Sequence, residues 1–268
     1  MGVFRFKKFE VINERSAMKV NTDGVLLGAA MTLTPSYRRL LDIGTGTGTI
    51  ALMAAQRLAG AVWIDAIDID EPSASEAAAN FEHSPWADSL HAYNLSLDEF
   101  EIALNTSASS LTSTEASTQH SHEAELTPSA LSQTECKFDL IFSNPPYFDD
   151  ALQAPEERRN AARHTSTGLS YREILDFAAR HLSQRGRVAL VLPADTERDL
   201  TRHARMCGLH LFKITRVRTV PRKAPTRIVA EFSRHRTDTP EETDLTIQNE
   251  GQYTDEYLSL TKDFYLFA

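Results

Sequence analysis

Four residues near the middle of the chain, Asn144-Pro145-Pro146-Tyr147, combine a carboxamide, two rings without an N–H and a phenol. They follow the apolar run Phe138-Asp139-Leu140-Ile141-Phe142-Ser143. Two prolines after a strand make a stiff corner whose carbonyls are free to accept hydrogen bonds. An exocyclic adenine amine or a carboxamide nitrogen is a poor nucleophile, because its lone pair is delocalised. If the Asn144 side-chain oxygen and the Pro145 carbonyl each accept an N–H bond, charge developing on that nitrogen is stabilised as it attacks. Tyr147 can stack on a planar substrate and hold it in line with an electrophile. This chemistry requires neither a metal nor a general base before attack.

A second stretch complements the first. Leu40-Leu41-Asp42-Ile43 runs into Gly44-Thr45-Gly46-Thr47-Gly48, and Thr49-Ile50-Ala51-Leu52 opens a helical pattern. Glycines let the backbone turn sharply and approach a ligand. The spacing is G-x-G-x-G, not the G-x-G-x-x-G that seats a pyrophosphate on a helix N-terminus. Asp42 would repel a phosphate but suits a cationic amino group. S-adenosylmethionine carries that group, a cationic sulfonium and no phosphate; the plain alternative is a tight turn with no ligand. The next apolar run ends in Asp68-Ile69-Asp70. An acid there can accept from both hydroxyls of a ribose, and Asp68 follows the run most directly. Asp70, ahead of Pro72, is the expected helix cap. After a third run, Ser96 and Leu97 are expected to border an adenine ring, by a hydrogen bond and by apolar contact.

These motifs need a scaffold that brings strand ends together. Apolar runs at Arg39–Ile43, Val62–Ile67, Leu90–Asn94, Phe138–Ser143, Arg187–Leu192, Leu209–Val217 and Arg227–Phe232 predict strands. Helical patterns cover Thr49–Leu58, Pro72–Phe81, Tyr171–Ser183 and Thr196–Cys207. The alternation predicts an α/β fold with a mostly parallel sheet covered by helices on both faces. Ligands bind such sheets beyond the carboxyl ends of the strands. The 268 residues suffice for one large domain or two small ones. Residues 1–234 are expected to form the main domain. Within it, 105–135 holds 14 Ser or Thr among 31 residues and reads as a mobile or disordered insertion. Residues 235–268 form an acidic extension.

The net charge is −9, but it is unevenly spread. Arg202–Arg236 holds ten Lys or Arg against Glu231 alone, and the first forty residues hold seven bases against three acids. Thr237–Ala268 holds eight acids and one Lys. Two basic regions in an acidic chain suggest a patch for a polyanion, or else a solvated face. With two cysteines, Cys136 and Cys207, a disulfide scaffold is excluded, and so is a zinc site built from several thiolates. Both are expected to be small core residues in a reducing cytoplasm. Neither a secretory h-region nor a membrane-spanning run is found.

The chain closely resembles the bacterial tRNA(Val) adenine-37 N6-methyltransferase family, within the class I S-adenosylmethionine-dependent methyltransferases that carry Asn-Pro-Pro-Tyr. The resemblance rests on Phe4-Arg5-Phe6-Lys7-Lys8-Phe9 and Ala17-Met18-Lys19-Val20-Asn21-Thr22-Asp23-Gly24-Val25-Leu26-Leu27-Gly28-Ala29. It continues through Asn80–Ala87, the Asn144–Tyr147 loop and Ala162-Arg163-His164-Thr165, to Phe232-Ser233. It implies a Rossmann-like, seven-stranded sheet whose last strand is antiparallel, with S-adenosylmethionine as cofactor. Asp42, Gly44, Gly46 and Gly48 would line the methionine end, and Asp68 would meet the ribose. Asn144, Pro145, Pro146 and Tyr147 would hold the target amine. Thr22 and Asp23, just ahead of the first helix, would lie near the cofactor or the target base. Ser96 stands where relatives commonly have Asp. The expected substrate is tRNA, methylated at the adenine 3′ of the anticodon. Lys7, Lys8, Lys19, Arg216, Arg218, Arg222, Lys223 and Arg227 are the candidate RNA rim.

Three rivals share features with this reading. A glutamine N5-methyltransferase acting on a release factor would use the same loop, but only 41 residues precede Asp42, too few for its helical recognition domain. A DNA adenine methyltransferase would need a target-recognition domain. A non-catalytic RNA-binding protein could keep the fold, but has no use for an intact Asn144–Tyr147 loop.

Overall fold

A computed structural model of the chain describes residues 2–16, 18–110, 137–147 and 169–268. Most of the Ser/Thr-rich segment, Cys136, Phe148 and Ala162–Thr165 lie outside them. A short hairpin, β1 (Val3–Arg5) with β2 (Glu10–Ile12), precedes helix α1 (Thr22–Ala30). There follow β3 (Arg39–Ile43), α2 (Thr49–Arg57), β4 (Trp63–Asp68), α3 (Glu71–Glu82), β5 (Leu90–Asn94), α4 (Leu97–Ser110) and β6 (Phe138–Ser143). The chain continues with α5 (Tyr171–His181), β7 (Leu182–Pro193), α6 (Glu197–Met206), β8 (His210–Arg218), β9 (Arg227–Ser233) and β10 (Glu241–Thr246). A small hairpin, β11 (Gln248–Asn249) with β12 (Gln252–Tyr253), leads to α7 (Asp255–Thr261).

The main sheet has the order β10-β8-β9-β7-β6-β3-β4-β5. Only β9 runs against its neighbours, β7 and β8. All seven expected strands are present. Successive residues point to opposite faces, as strand geometry requires, and feed two separate cores. Leu40, Leu140, Phe142, Ala189 and Val191 join α1, α2, α3 and the N-terminal hairpin on one face. Leu41, Ile43, Ile141, Val188 and Leu190 join α4, α5 and α6 on the other. Asp70 caps α3, accepting from Ser73 N at 3.0 Å with Pro72 in the first turn.

The sheet has eight strands, not seven. The acidic extension supplies β10, which adds in parallel to β8. Its sequence, Glu-Glu-Thr-Asp-Leu-Thr, is poor in β-formers and shows no apolar alternation, so it does not read as a strand. Charge pairing holds it there: Glu241 with Lys213 at 3.0 Å, Glu242 with Arg216 at 2.8 Å and Asp244 with Arg218 at 2.6 Å. Opposite charges across neighbouring strands are worth about 0.2–1 kcal/mol each. Leu245 alone enters the core.

Two further expectations change. Helix α4 runs on to Ser110, so the first residues of the expected insertion, from Asn105, are helical. Cys207 is not a core residue: it is half-buried at the end of α6, and its thiol donates to Asp176 Oδ1 at 3.0 Å. Burial raises that thiol well above its ordinary range, to about 12, and Asp176 adds to the shift. Asp176 Oδ1 also meets His203 Nε2 at 3.0 Å. Among the described residues, no helix is long and apolar enough to cross a membrane.

Candidate active site

The parallel strands and the start of antiparallel β9 share one edge of the sheet. Asp42, Asp68, Asn144 and Arg227 all stand on it. The glycine loop is pinned there: Gly44 N and Thr45 N both donate to Ile67 O, at 2.9 and 3.0 Å. Gly46 N donates to Asp68 Oδ2 at 2.8 Å. Gly48 caps α2 at φ 78°. A Cβ there would lie 2.4 Å from Phe81 Cε1, so loop and α3 pack too closely for any other residue.

Asp42 is fully buried. One oxygen accepts from Thr45 Oγ1 at 2.8 Å, and the other, Oδ1, has no hydrogen-bond partner among the described residues. Burial, with the Asp68 charge adding, pushes its carboxyl up to about 7, against the Thr45 bond and the nearby Ala51 N–H. A buried acceptor without a partner is costly in water-free surroundings. An ammonium would satisfy it, a phosphate would not. The residues therefore fit a ligand with a cationic amino group. The Asp68 carboxyl is also raised by burial, while N–H bonds from Asp70 and Gly46 oppose the shift. Ser96 caps α4: its hydroxyl donates to Glu99 Oε2 at 2.8 Å and accepts from Glu99 N at 3.2 Å. One lone pair remains for any other contact. Leu97 opens α4 and packs on the second core.

Ser143 Oγ donates to Ile43 O at 2.6 Å, joining the loop after β6 to the end of β3. Asn144 is buried. Its Nδ2 faces Met18 Sδ at 3.5 Å. Sulfur can only accept, so Oδ1 turns the other way and accepts from the Tyr147 hydroxyl at 3.0 Å. Pro145 is buried, while Pro146 and Tyr147 are exposed. The Tyr147 hydroxyl also lies 3.1 Å from Asp23 Oδ2, which accepts from Arg227 Nε at 2.8 Å. The Arg227 guanidinium sits over the Tyr147 ring, 5.0 Å from its centre. Part of the Tyr147 ring is open to solvent, but desolvation, with Asp23 adding, raises the phenol above its ordinary range, so it stays protonated.

Helix α1 begins at Thr22 rather than beyond Asp23, because Asn21 caps it by accepting from Gly24 N at 2.9 Å. Thr22 is exposed, and Asp23 in the first turn joins Tyr147 and Arg227.

The eight basic residues expected to form one rim are divided. Arg216 is held by Glu197 and Glu242, and Arg218 by Asp244, so the acidic extension neutralises them. Lys7 Nζ donates to Lys262 O and Ala268 O, and Lys19 Nζ to Glu14 O. Arg227 is held by Asp23. Lys8, Arg222 and Lys223 are exposed and form no ion pair among the described residues. Arg222 and Lys223 lie between β8 and β9, at the same sheet edge as Asn144.

Sequence reasoning missed the residues that fasten the N-terminal segment over the glycine loop. Glu76 is buried on α3 and accepts from the N–H groups of Glu14, Arg15 and Ser16 at 2.7–2.9 Å. These three bonds hold its carboxyl below the ordinary range despite desolvation. Asn80, one turn on, bonds both Ile12 and Thr47. Their only sequence signal is two polar residues four apart on a helix, which an exposed face would also show.

Comparison with known proteins decides the family. A tRNA1(Val) (adenine(37)-N6)-methyltransferase of Parabacteroides distasonis is 38% identical over 264 residues, covering 98% of this chain and 97% of that protein. Proteins of the same name from Bacteroides fragilis and Photobacterium profundum are 38% and 35% identical, each over 98% of this chain and 97–98% of their own. The chain belongs to the tRNA1(Val) (adenine(37)-N6)-methyltransferase family. The family model for ribosomal protein L11 methyltransferase (PrmA) also matches, over residues 22–143 of this methyltransferase. Among solved structures, a predicted O-methyltransferase of Agrobacterium tumefaciens superposes with a TM-score of 0.55 at 14% identity, over 90% of this chain and 96% of that one. A protein of Listeria monocytogenes assigned to the class I S-adenosylmethionine-dependent methyltransferases gives 0.50 at 14%, over 94% and 70%. Their fold is the Rossmann-like class I methyltransferase fold, and this methyltransferase shares it.

Proposed function

We propose that this methyltransferase transfers a methyl group from S-adenosylmethionine to N6 of an adenine in tRNA, adenine 37 of tRNA(Val). The observation that carries the reading is the buried Asn144 acceptor, with Tyr147 against it, one strand away from the glycine loop and its unsatisfied Asp42. The relatives' names supply the substrate. The cofactor brings an electrophilic methyl on a sulfonium. Asp42 would hold its ammonium, the glycines would let the backbone come close, and Asp68 would accept from its ribose. Asn144 Oδ1 and the Pro145 carbonyl accept from the adenine amine and favour the charge that grows on N6. The Tyr147 ring stacks on the flipped base. Incubating the enzyme with methyl-labelled cofactor and unmodified tRNA should place label in the tRNA as N6-methyladenosine. Label instead on a release-factor glutamine would favour the protein-directed reading.

The Asp42 environment makes cofactor binding pH-dependent. An acid whose folded pKa is raised contributes fully below its unfolded value, near 3.8, and loses that contribution as pH rises through about 7. The ligand-free protein should therefore weaken over that range. An ammonium beside Asp42 favours the ionised form, so binding below about pH 7 should release a proton. Titration calorimetry should show affinity rising by up to about tenfold per pH unit below 7. Asp42→Asn should bind more weakly and lose this dependence. An unchanged pH profile in that variant would remove Asp42 from the cofactor site.

Arg222 and Lys223 are the exposed cations placed to meet the RNA backbone. Replacing both by Glu should weaken tRNA binding and flatten its log–log salt slope by roughly 0.7 per lost phosphate contact. Cofactor affinity should not change. Arg216→Gln, whose charge is already neutralised within the fold, should alter the slope far less. An unchanged slope in the double variant would leave these charges as a solvated surface.

A further inference from the structure

The Tyr147 hydroxyl poses a problem for the reaction. It has one proton and two acceptors in reach, Asn144 Oδ1 at 3.0 Å and Asp23 Oδ2 at 3.1 Å. Asn144 Oδ1 is the atom assigned to the substrate amine. An amine arriving there competes with a phenol already in place. Three elements meet at the alternative acceptor: Asp23 from the first turn of α1, Tyr147 from the loop after β6, and Arg227 from the first position of β9. The Arg227–Asp23 pair is itself largely sheltered, with side-chain exposures of 32% and 21%. Arg227 binds Asp23 through Nε while its guanidinium plane covers the tyrosine ring. One cation thus fixes both the acceptor and the ring that uses it.

We infer that Asp23, held by Arg227, is the positioning residue that receives the Tyr147 hydroxyl when the substrate amine takes Asn144 Oδ1. The inference rests on the reading of Asn144 as the amine acceptor. It gives Asp23 a role on the substrate side rather than against the cofactor, and it takes Arg227 out of the RNA rim. Rotation of one O–H between two oxygens already in reach frees the carboxamide, and the ring keeps its stacking position. Without Asp23, Asn144 Oδ1 is the one side-chain acceptor left to the phenol among the described residues, and the phenol blocks it.

A double-mutant cycle tests this. Asp23→Ala should lower kcat by about tenfold, equivalent to about 1.4 kcal/mol. The KM for tRNA and the cofactor Kd, measured by calorimetry, should stay within about twofold. In a Tyr147→Phe background, which keeps the ring and removes the hydroxyl, Asp23→Ala should change kcat less than twofold. Asp23→Asn retains an acceptor of the same shape and should recover part of the loss, which also covers the case that Asp23→Ala folds poorly. Arg227→Gln should lower kcat and leave the salt slope of tRNA binding intact. A full tenfold loss persisting in the Phe background would overturn the inference. So would a tenfold rise in cofactor Kd, or a salt slope that falls in Arg227→Gln. Failure of the underlying reading looks different: Asn144→Ala would then turn over normally, whatever Asp23 does.

Discussion

Asn144→Ala is expected to lower kcat for methyl transfer by about 10²–10³-fold, the loss seen when one preorganised partner of a developing charge is removed. The side chain is buried, held between Met18 Sδ and the Tyr147 hydroxyl. Among the described residues no hydrogen bond joins it to Asp42 or Asp68, so cofactor affinity should stay within a few-fold of wild type. Single-turnover kinetics with saturating tRNA, beside a calorimetric titration of the cofactor, separates the two quantities. A variant that turns over at a near-normal rate would remove Asn144 from the chemistry. One that loses cofactor binding in proportion to rate would move it to the cofactor side.

Arg39→Ala should destabilise the protein by about 3–5 kcal/mol, because it strands a buried charge. Asp65 lies inside β4 with its side chain only 1% exposed. Its Oδ2 accepts from Arg39 Nε and Nη2 at 3.2 and 3.0 Å, and its Oδ1 from Trp63 Nε1 at 2.9 Å. The guanidinium also lies 4.7 Å from the centre of the Phe138 ring, so its loss removes packing too. Adding Asp65→Asn to Arg39→Ala should recover part of the loss, since a neutral amide still accepts from Trp63. Urea unfolding of the two variants measures this. A change below about 1 kcal/mol for Arg39→Ala would mean that water reaches Asp65.

The acids of β4 and the turn after it show how far residue order carries. Asp65, Asp68 and Asp70 fall within six residues around the end of one apolar run, yet serve different ends. Asp70 was legible as a cap because Pro72 follows it, a local signal. Asp68 was legible as an acid at a strand end, where it accepts from Gly46 N and Asp70 N. The pairing of Asp65 with Arg39 was not legible, because it crosses between β3 and β4 and depends on their register. The same distinction governs the rest. The central strands β3, β6 and β9 announce themselves by apolar runs, since both faces are buried. Strand β10 does not, because its partners are charges on β8 that are distant in sequence and cancelled only in the fold. The basic count over Arg202–Arg236 therefore overstated the free positive surface: Arg216 and Arg218 are neutralised and Arg227 is turned inward. The Asn144 and glycine loops were legible as candidate chemistry, and the fold brings both to one sheet edge. The network that positions them, Asp23 on α1, Glu76 and Asn80 on α3 and Arg227 on β9, acts between elements distant in sequence, so its pairings do not show in local spacing.

The central claim is that the Asn144 loop methylates one adenine of a tRNA anticodon loop, and two transcripts test it directly. Unmodified tRNA(Val) and the same transcript with adenine 37 replaced by guanine are each incubated with enzyme and methyl-labelled S-adenosylmethionine, then digested to nucleosides. The account predicts close to one N6-methyladenosine per molecule of the first transcript and none in the second. Equal label in both transcripts, or label in a nucleoside other than N6-methyladenosine, would contradict it.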